Sequence, residues 1–240
     1  MITKAMVNTL LFTLFLNSIV AQQLSGSVLY DGKAMPKIPK TQLKKLSNDP
    51  YCGSTHKEPI YRQGLIVNEN KTLKNVLVYL KNIKYDGEIP KDTVILDQNG
   101  CLYSPRVIGI MQNQKLQINN QDATLHNIHA LSKVNKAFNA GQPGGIPLYK
   151  EFKDVEVSFP VKCDVHPWMK AYISVFDHPY FSVTDDSGKY KIDNVPPGKY
   201  EVVAWHERDS KYKGYTQTQL VEIGEGGTTL NFTLAKGEKK

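Results

Sequence analysis

Apolar residues along most of this chain come in short runs that alternate with polar residues or are rich in β-branched side chains. The runs are GSVLY, NVLVYL, DTVIL, RVIGIM, KLQIN, VEVSFPV, AYISVF, KYKI, KYEVVAW, QLVEI and LNFTL. Between them lie turn-forming stretches such as YDGK, DQNG, GQPGG, DDSGK and VPPGK. No segment has a helical period over any length. Short strands separated by such turns predict an all-β protein, built as a sandwich or a barrel.

The first 21 residues do not follow this pattern. They carry one charge, Lys4, which is followed by an apolar run from Met6 to Val20 and then by Ala21. This pattern predicts a signal peptide over residues 1–21, cleaved after Ala21 or close to it. The run is short and interrupted by polar residues, which disfavours the alternative of an uncleaved anchor helix. We therefore expect a periplasmic or otherwise extracytoplasmic protein with no transmembrane segment in the mature chain.

The net charge of the whole chain is +7, and loss of the segment that contains Lys4 leaves +6. This mildly basic balance suits a partner with an acidic surface, and it lacks the clustered charge of a nucleic-acid binder. One basic stretch, KAMPKIPKTQLKK at residues 33–45, has five lysines and no acid. It is typical of a solvated loop, and a docking patch is the alternative.

One seven-residue stretch, CDVHPWM, carries the clearest candidate chemistry. It places Cys163, His166 and Met169 at three-residue intervals. Thiolate, imidazole and thioether form a soft ligand set that favours copper, whereas zinc rarely takes methionine. The known copper combination needs a second imidazole, and TLHNIHAL offers His126 and His129. Because side chains alternate faces along a strand, only one of these two can face the metal.

The cysteine count predicts one disulfide. With Cys163 assigned to the metal, Cys52 and Cys101 are left to pair, which an oxidising compartment permits. The bridge would close a loop of about 50 residues and stabilise the fold by roughly 4 kcal/mol in the chain-entropy model. The alternative is two unrelated buried thiols.

The motif HNIH followed by C-x-x-H-x-x-M resembles the cupredoxins, and the ligand loop resembles that of the amicyanins. The segments RVIGIMQNQKLQINNQD and VEVSFPVKCDVH resemble the family's strands that deliver the first histidine and the cysteine. The resemblance covers about residues 93–176. It implies a Greek-key β-sandwich that binds one copper per chain through His126, Cys163, His166 and Met169. It also implies that Asn127 braces the ligand loop and that His129 is not a ligand.

The resemblance further implies single-electron transfer with redox protein partners. His166 would lie near the surface, with Pro167 and Trp168 beside it as an apolar docking face; Trp168 as a core residue is the alternative. The ligand set has no open position and no nearby base for chemistry, so we expect an electron carrier, not an enzyme. The chain could still serve a separate enzyme as its redox partner.

A second resemblance concerns VTDDSGKYKIDNVPPGKYEVVAWH, residues 183–206, which is similar to the carboxypeptidase regulatory-like (transthyretin-like) β-sandwich. We expect a β segment over residues 22–82, the cupredoxin-like domain over 83–176 and this second sandwich over 177–236. The pieces GSVLYDGKAMP and LKNVLVYL resemble the opening strands of such a sandwich. Either they complete it around an inserted copper domain, or three β units follow one another.

The leading functional hypothesis is an exported type 1 copper protein. Two other classes stay open: a non-redox envelope-binding, structural or copper-storage protein, and a subunit that feeds electrons to an enzyme. His178 and His206 could belong to a second metal or proton-active site. A structural role at strand ends is the interpretation we favour for both.

Overall fold

The computed structural model describes residues 22–32, 48–56, 60, 63–211 and 214–240. The predicted signal peptide and the basic stretch at 33–45 lie outside these residues. Within the described part of the chain, no helix has the length and apolar character needed to span a membrane.

The described chain is built almost entirely from strands. In chain order the elements are β1 (Gln22–Asp31), α1 (Pro50–Thr55), β2 (Leu77–Lys81), β3 (Val94–Asn99), β4 (Leu102–Ser104), β5 (Val107–Met111), β6 (Leu116–Asn120), β7 (His126–Ala130), β8 (Phe138–Gln142), β9 (Leu148–Lys150), β10 (Glu156–Lys162), β11 (Lys170–Phe176), β12 (Phe181–Val183), β13 (Lys189–Val195), β14 (Gly198–Trp205), a 3-10 helix (Glu207–Ser210), β15 (Thr216–Ile223), β16 (Thr228–Thr229) and β17 (Phe232–Ala235). The predicted all-β class is confirmed.

Strands β3 to β11 form two sheets around one apolar core, which we call the inner sandwich. One sheet has the order β5-β11-β10-β7-β8 and the other β4-β3-β6-β9. Alternate side chains point into the core, as period-2 strands require. Leu116 and Ile118 of β6 do so, as do Phe159 and Val161 of β10. The antiparallel strand pairs β10–β11 and β7–β10 position the residues of the candidate site.

The remaining strands form a second pair of sheets, the outer sandwich. In one sheet β1 lies between β13 and β16 and also pairs with β17. The other has the order β12-β2-β14-β15. Both enclose a second apolar core. The chain therefore leaves the outer sandwich after β2 and returns to it at β12.

An aromatic junction joins the two sandwiches. The Phe176 ring of β11 lies 5.1 Å from Tyr79 of β2 and 4.8 Å from Phe181 of β12 between centroids. A Cβ atom at Gly109 of β5 would come within 2.3 Å of the Phe181 ring, so a residue without a side chain is needed there. The junction also has a largely buried ion pair, in which Arg106 donates two hydrogen bonds of 2.8 and 2.9 Å to the Glu207 carboxylate.

The glycine- and proline-rich stretch at residues 132–152 has no clear alternation from which its structure could be predicted. It contains β8, which pairs with β7, and β9, which pairs with β6. These short strands form one edge of each inner sheet. Apolar and polar residues alternate only weakly in β8 and β9, which explains why the sequence pattern did not predict these two strands.

Candidate metal centre

The start of β7 and the loop between β10 and β11 bring the candidate ligands together. His126 is the first residue of β7, while Cys163 directly follows β10 and Met169 directly precedes β11. Since β7 and β10 are antiparallel neighbours, the end of β10 lies beside the start of β7. The loop between β10 and β11 carries His166 into the same place. All four side chains are almost completely buried.

The ligand atoms of His126, Cys163 and His166 form a compact group. One nitrogen or sulfur from each residue lies within 4.8 Å of the other two. The two Nδ1 atoms are 2.8 Å apart, and Cys163 Sγ is 3.8 Å from Nδ1 of His166. Two imidazoles and one thiol are therefore directed at a common point in the apolar core.

The hydrogen-bond network assigns the tautomers of these two histidines. Nε2 of His126 lies 2.8 Å from the Asp122 carboxylate, and Nε2 of His166 lies 3.1 Å from the Asp49 carboxylate. Each carboxylate accepts, so each Nε2 carries a proton and donates. In a neutral ring Nδ1 is then an acceptor, and the two facing Nδ1 atoms have no proton between them. A cation at their common point would satisfy both lone pairs.

Burial disfavours protonation of His126, so a proton does not readily take the place of such a cation. Desolvation lowers the pKa of this histidine, while the hydrogen bond that it donates to the Asp122 carboxylate acts in the opposite direction. The neutral, ligating form is the one that the surroundings favour. A carboxylate on the far nitrogen is also the usual support of a metal-binding histidine, since it fixes ring orientation and raises basicity.

Asp122 is held in place by the turn between β3 and β4. Its two oxygens accept from the Gly100 N–H at 2.7 Å and the Cys101 N–H at 2.8 Å, in addition to His126. Gly100 has φ +60° and Cys101 φ +57°, so these two residues form a two-residue hairpin turn with positive φ at both positions. The turn thus orients a carboxylate that orients a histidine.

Asp49 comes from a different part of the chain. It is the N-cap of α1, where its Oδ1 accepts from the Cys52 N–H at 2.8 Å. This hydrogen bond is the main reason that the pKa of Asp49 is lowered. A disulfide between Cys52 and Cys101, the pairing expected from the sequence, fastens α1 to the inner sandwich. Helix α1 and Asp49 therefore cover the outer edge of His166.

This cover makes one expectation wrong. By family resemblance His166 would lie near the surface, but only 1% of it is exposed. Its Nε2 contacts Asp49 and also lies 3.7 Å from Cys52 Sγ. The physical reason is the disulfide-bound helix, which occupies the position where solvent or a partner would reach the imidazole.

Asn127 connects β7 to the ligand loop. Its Oδ1 accepts from the Asp164 N–H at 2.6 Å and from the Cys163 thiol at 3.2 Å. The backbone N–H of His166 in turn points at Cys163 Sγ from 3.3 Å. These bonds hold the loop next to the sulfur.

The remaining loop residues differ in exposure. Met169 is fully buried beside Cys163 in the inner core, and its N–H donates to the His166 carbonyl at 2.9 Å. Trp168 is half-buried, packs against the same core and donates from Nε1 to the Cys101 carbonyl at 3.0 Å. Pro167 is exposed. Of the two proposed docking residues, Trp168 is thus largely a packing residue.

The other histidines lie elsewhere. His129 points to the opposite face of β7 from His126, and its Nδ1 lies 2.9 Å from the exposed Asp164 carboxylate. His178 Nδ1 accepts from the Tyr180 N–H at 3.1 Å. His206 caps the 3-10 helix by accepting from the Arg208 N–H at 3.3 Å, and burial lowers its pKa to about 4. These contacts give His178 and His206 structural roles.

Sequence reasoning missed both supporting carboxylates. Asp122 lies four residues before His126, and Asp49 precedes Pro50 at a helix start that NDPYCGST could have indicated. The capping signal of Asp49 was local and visible. Its contact with a histidine 117 residues away was not.

No family model matches the chain, and no curated protein matches it. Solved structures that are similar to part of it include copper proteins. A copper-containing nitrite reductase (NirK) from Thermus scotoductus SA-01 is 17% identical over 40% of this chain and 25% of its own, with a TM-score of 0.35. A purple cupredoxin from Nitrosopumilus maritimus is 20% identical over 35% of this chain and 99% of its own, with a TM-score of 0.30.

A reduced mutant of amicyanin is also similar. It is 17% identical over 37% of this chain and 87% of its own, with a TM-score of 0.33. This chain spans about a quarter of the length of the nitrite reductase that it matches. Since these identities and TM-scores are low, the functional argument rests on the geometry of the site.

Proposed function

We propose that this chain is an exported type 1 copper protein that transfers single electrons between redox partners. The observation that carries the proposal is the pair of buried Nδ1 acceptors, 2.8 Å apart, facing each other beside a free thiol. Two histidines and one cysteine with a weak methionine form the ligand set of blue-copper electron-transfer sites. His126, Cys163 and His166 would hold the metal, with Met169 as the axial ligand.

Copper is favoured over zinc by the donor set. Structural zinc sites take cysteine, histidine and carboxylate ligands, whereas a thioether suits copper. The carboxylates here do not compete for the common point, because Asp122 and Asp49 contact the Nε2 edges. When bound, copper would supply a one-electron couple between its two common oxidation states.

The chain's own residues supply a fixed frame for that couple. Asp122 and Asp49 hold the imidazole rings, while Asn127 and the His166 N–H hold the sulfur. The surrounding apolar core excludes water from the centre. A frame that is already organised needs little rearrangement when the charge at its centre changes, which favours electron transfer.

The exposed surface next to the candidate centre is where a redox partner would bind. With His166 covered, the loop presents Pro167 and the half-exposed Val165 to solvent. We propose that a redox protein contacts this part of the loop. Trp168 packs beneath the loop, against the core of the inner sandwich. The net positive charge of the chain suits a partner with an acidic surface.

A redox titration of the copper-loaded mature protein tests the function. A carrier gives a reversible one-electron couple and exchanges electrons rapidly with an inorganic redox reagent. A storage protein also binds copper, but oxidation or reduction releases the metal and the titration does not retrace. Irreversible behaviour of this kind would refute electron transfer while leaving copper binding intact.

A further inference from the structure

A cleft lies between the two sandwiches, on the outer face of the sheet whose inner face holds the candidate ligands. It has a volume of about 400 Å³. This falls in the size range of small-molecule sites, which often form where two structural units meet. The inner sandwich supplies one wall from the ends of β7, β10 and β11, and Trp205 of β14 supplies the other.

The walls of the cleft are mainly apolar. Leu131 and Val157 line it and are 37% and 39% exposed, a high value for large hydrophobic residues. Pro160 and Tyr172, a cross-strand pair on β10 and β11, also line it. Such a surface is suited to a flat apolar body, since aromatic side chains favour offset or edge contacts with a planar group.

One end of the cleft is cationic. Lys162 and Lys170 are directly opposite each other on β10 and β11, and both line the cleft. Like charges at directly opposed positions destabilise a sheet. Lys162 pairs with Asp164 at 2.9 Å, but within the described part of the chain no carboxylate forms an ion pair with Lys170. An anion between the two ammonium groups would relieve this repulsion.

Contacts between its walls hold the cleft in shape. The Trp205 ring packs edge-on against Tyr172 at 5.4 Å between centroids. Arg106, which binds Glu207 of the outer sandwich, also donates to the Lys170 carbonyl at 3.2 Å. The walls are thus fixed in position without a ligand.

From these observations we infer that the cleft is a binding site for a small planar organic anion, such as an aromatic carboxylate. Its anionic group lies between Lys162 and Lys170, and its apolar body lies against Val157, Pro160 and Trp205. The site is separate from the metal centre, because alternate residues of the same strands face opposite sides of the sheet. It does not depend on the proposed redox function.

Calorimetric titration of the metal-free, full-length mature protein with 2-naphthoate tests this inference. We expect saturable one-to-one binding and a change in tryptophan fluorescence. Lys170→Met keeps the apolar stem but removes the charge, and it should weaken binding by roughly tenfold or more, the value of a hydrogen bond to a charged group. Trp205→Leu should also weaken binding.

The matched control is Lys189→Met, an exposed strand lysine on β13 of the outer sandwich, which should leave the affinity unchanged. The neutral analogue 2-naphthamide should bind the wild-type protein about as weakly as naphthoate binds Lys170→Met. Equal circular dichroism spectra and melting temperatures establish that both lysine variants fold. The inference is overturned by non-saturable binding, by equal loss in the two lysine variants, or by equal affinity for naphthoate and naphthamide.

Discussion

At the scale of single residues, the centre is defined by how each histidine is supported. His126 and His166 each use one nitrogen to bind a carboxylate and direct the other at the common point. His129, three residues from His126 on the same strand, uses its Nδ1 for an exposed carboxylate instead. The same side chain therefore has opposite roles on the two faces of β7.

This contrast gives a matched pair of substitutions. His126→Ala should remove the intense visible absorption of the copper-loaded protein, because one of three strong ligands is lost. His129→Ala should leave the spectrum nearly unchanged, since its imidazole does not face the site. Visible absorption of both variants, loaded under identical conditions, makes the comparison. Loss of the band in His129→Ala alone would mean that the wrong imidazole is assigned.

Asp122 should matter for metal affinity although it is not a ligand. In Asp122→Asn the amide replaces a carboxylate that accepts from His126 and two backbone N–H groups. Loss of such a supporting group typically weakens metal binding about 10- to 100-fold. Competition with a copper chelator measures the change. Asp186→Asn, at an 87% exposed side chain, is the control; equal affinities for both variants would contradict the role of Asp122.

The sequence singled out the candidate ligands, but it gave little indication of their surroundings. Cys163, His166 and Met169 could be singled out because they lie within seven residues and share soft-ligand chemistry. The choice of His126 needed the family resemblance, since alternation alone left two candidates. Asp49 could not be connected to His166, because contacts across more than a hundred residues leave no local pattern.

At the scale of elements, short connections do more than join strands. Helix α1 has six residues, and a disulfide and a capping aspartate hold it over His166. The turn between β3 and β4 orients Asp122. Alternating patterns predicted most of the strands, but they carry no information on such loops, and the buried position of His166 could not be predicted.

The loop after β7 offers a pH-dependent test. Burial alone would raise the pKa of Glu156. The hydrogen bonds donated by Lys133, Ser132 and Asn135 outweigh this effect and lower the pKa to about 2. A folded-state pKa below the unfolded value of about 4.5 means that the ionised form stabilises the fold. This contribution is complete above the unfolded pKa and is lost as the pH falls from about 4.5 towards 2.

Urea unfolding of the wild type and Glu156→Gln measures that contribution. The wild type should be more stable at about pH 7, and its advantage should shrink steadily between about pH 4.5 and pH 3. An advantage that stays constant over this range would show that the Glu156 charge has no part in holding the loop.

At the scale of the whole molecule, the inner sandwich, which carries the candidate metal centre, is anchored to the outer one. Strand β1 pairs with β13 and β17, which lie far along the chain, so no local sequence signal could decide how the strands combine. The turn and strand patterns could be recognised, but their pairing could not. The junction between the sandwiches was also not predicted.

The largely buried Arg106–Glu207 pair should contribute strongly to this junction. Glu207→Ala leaves a largely buried guanidinium without its carboxylate and should lower the free energy of unfolding by roughly 2 to 3 kcal/mol. Glu201→Ala breaks the exposed pair with Lys81 and should cost less than about 1 kcal/mol. Urea unfolding measures both variants. Similar costs for the two would show that the junction does not depend on this ion pair.

The most direct test of the central claim is the visible and electron paramagnetic resonance spectrum of the copper-loaded mature protein. The account predicts one copper per chain, an intense thiolate-to-Cu(II) absorption band and a narrow copper hyperfine splitting, with the band abolished in Cys163→Ser. A colourless protein that takes up zinc in preference to copper would contradict it.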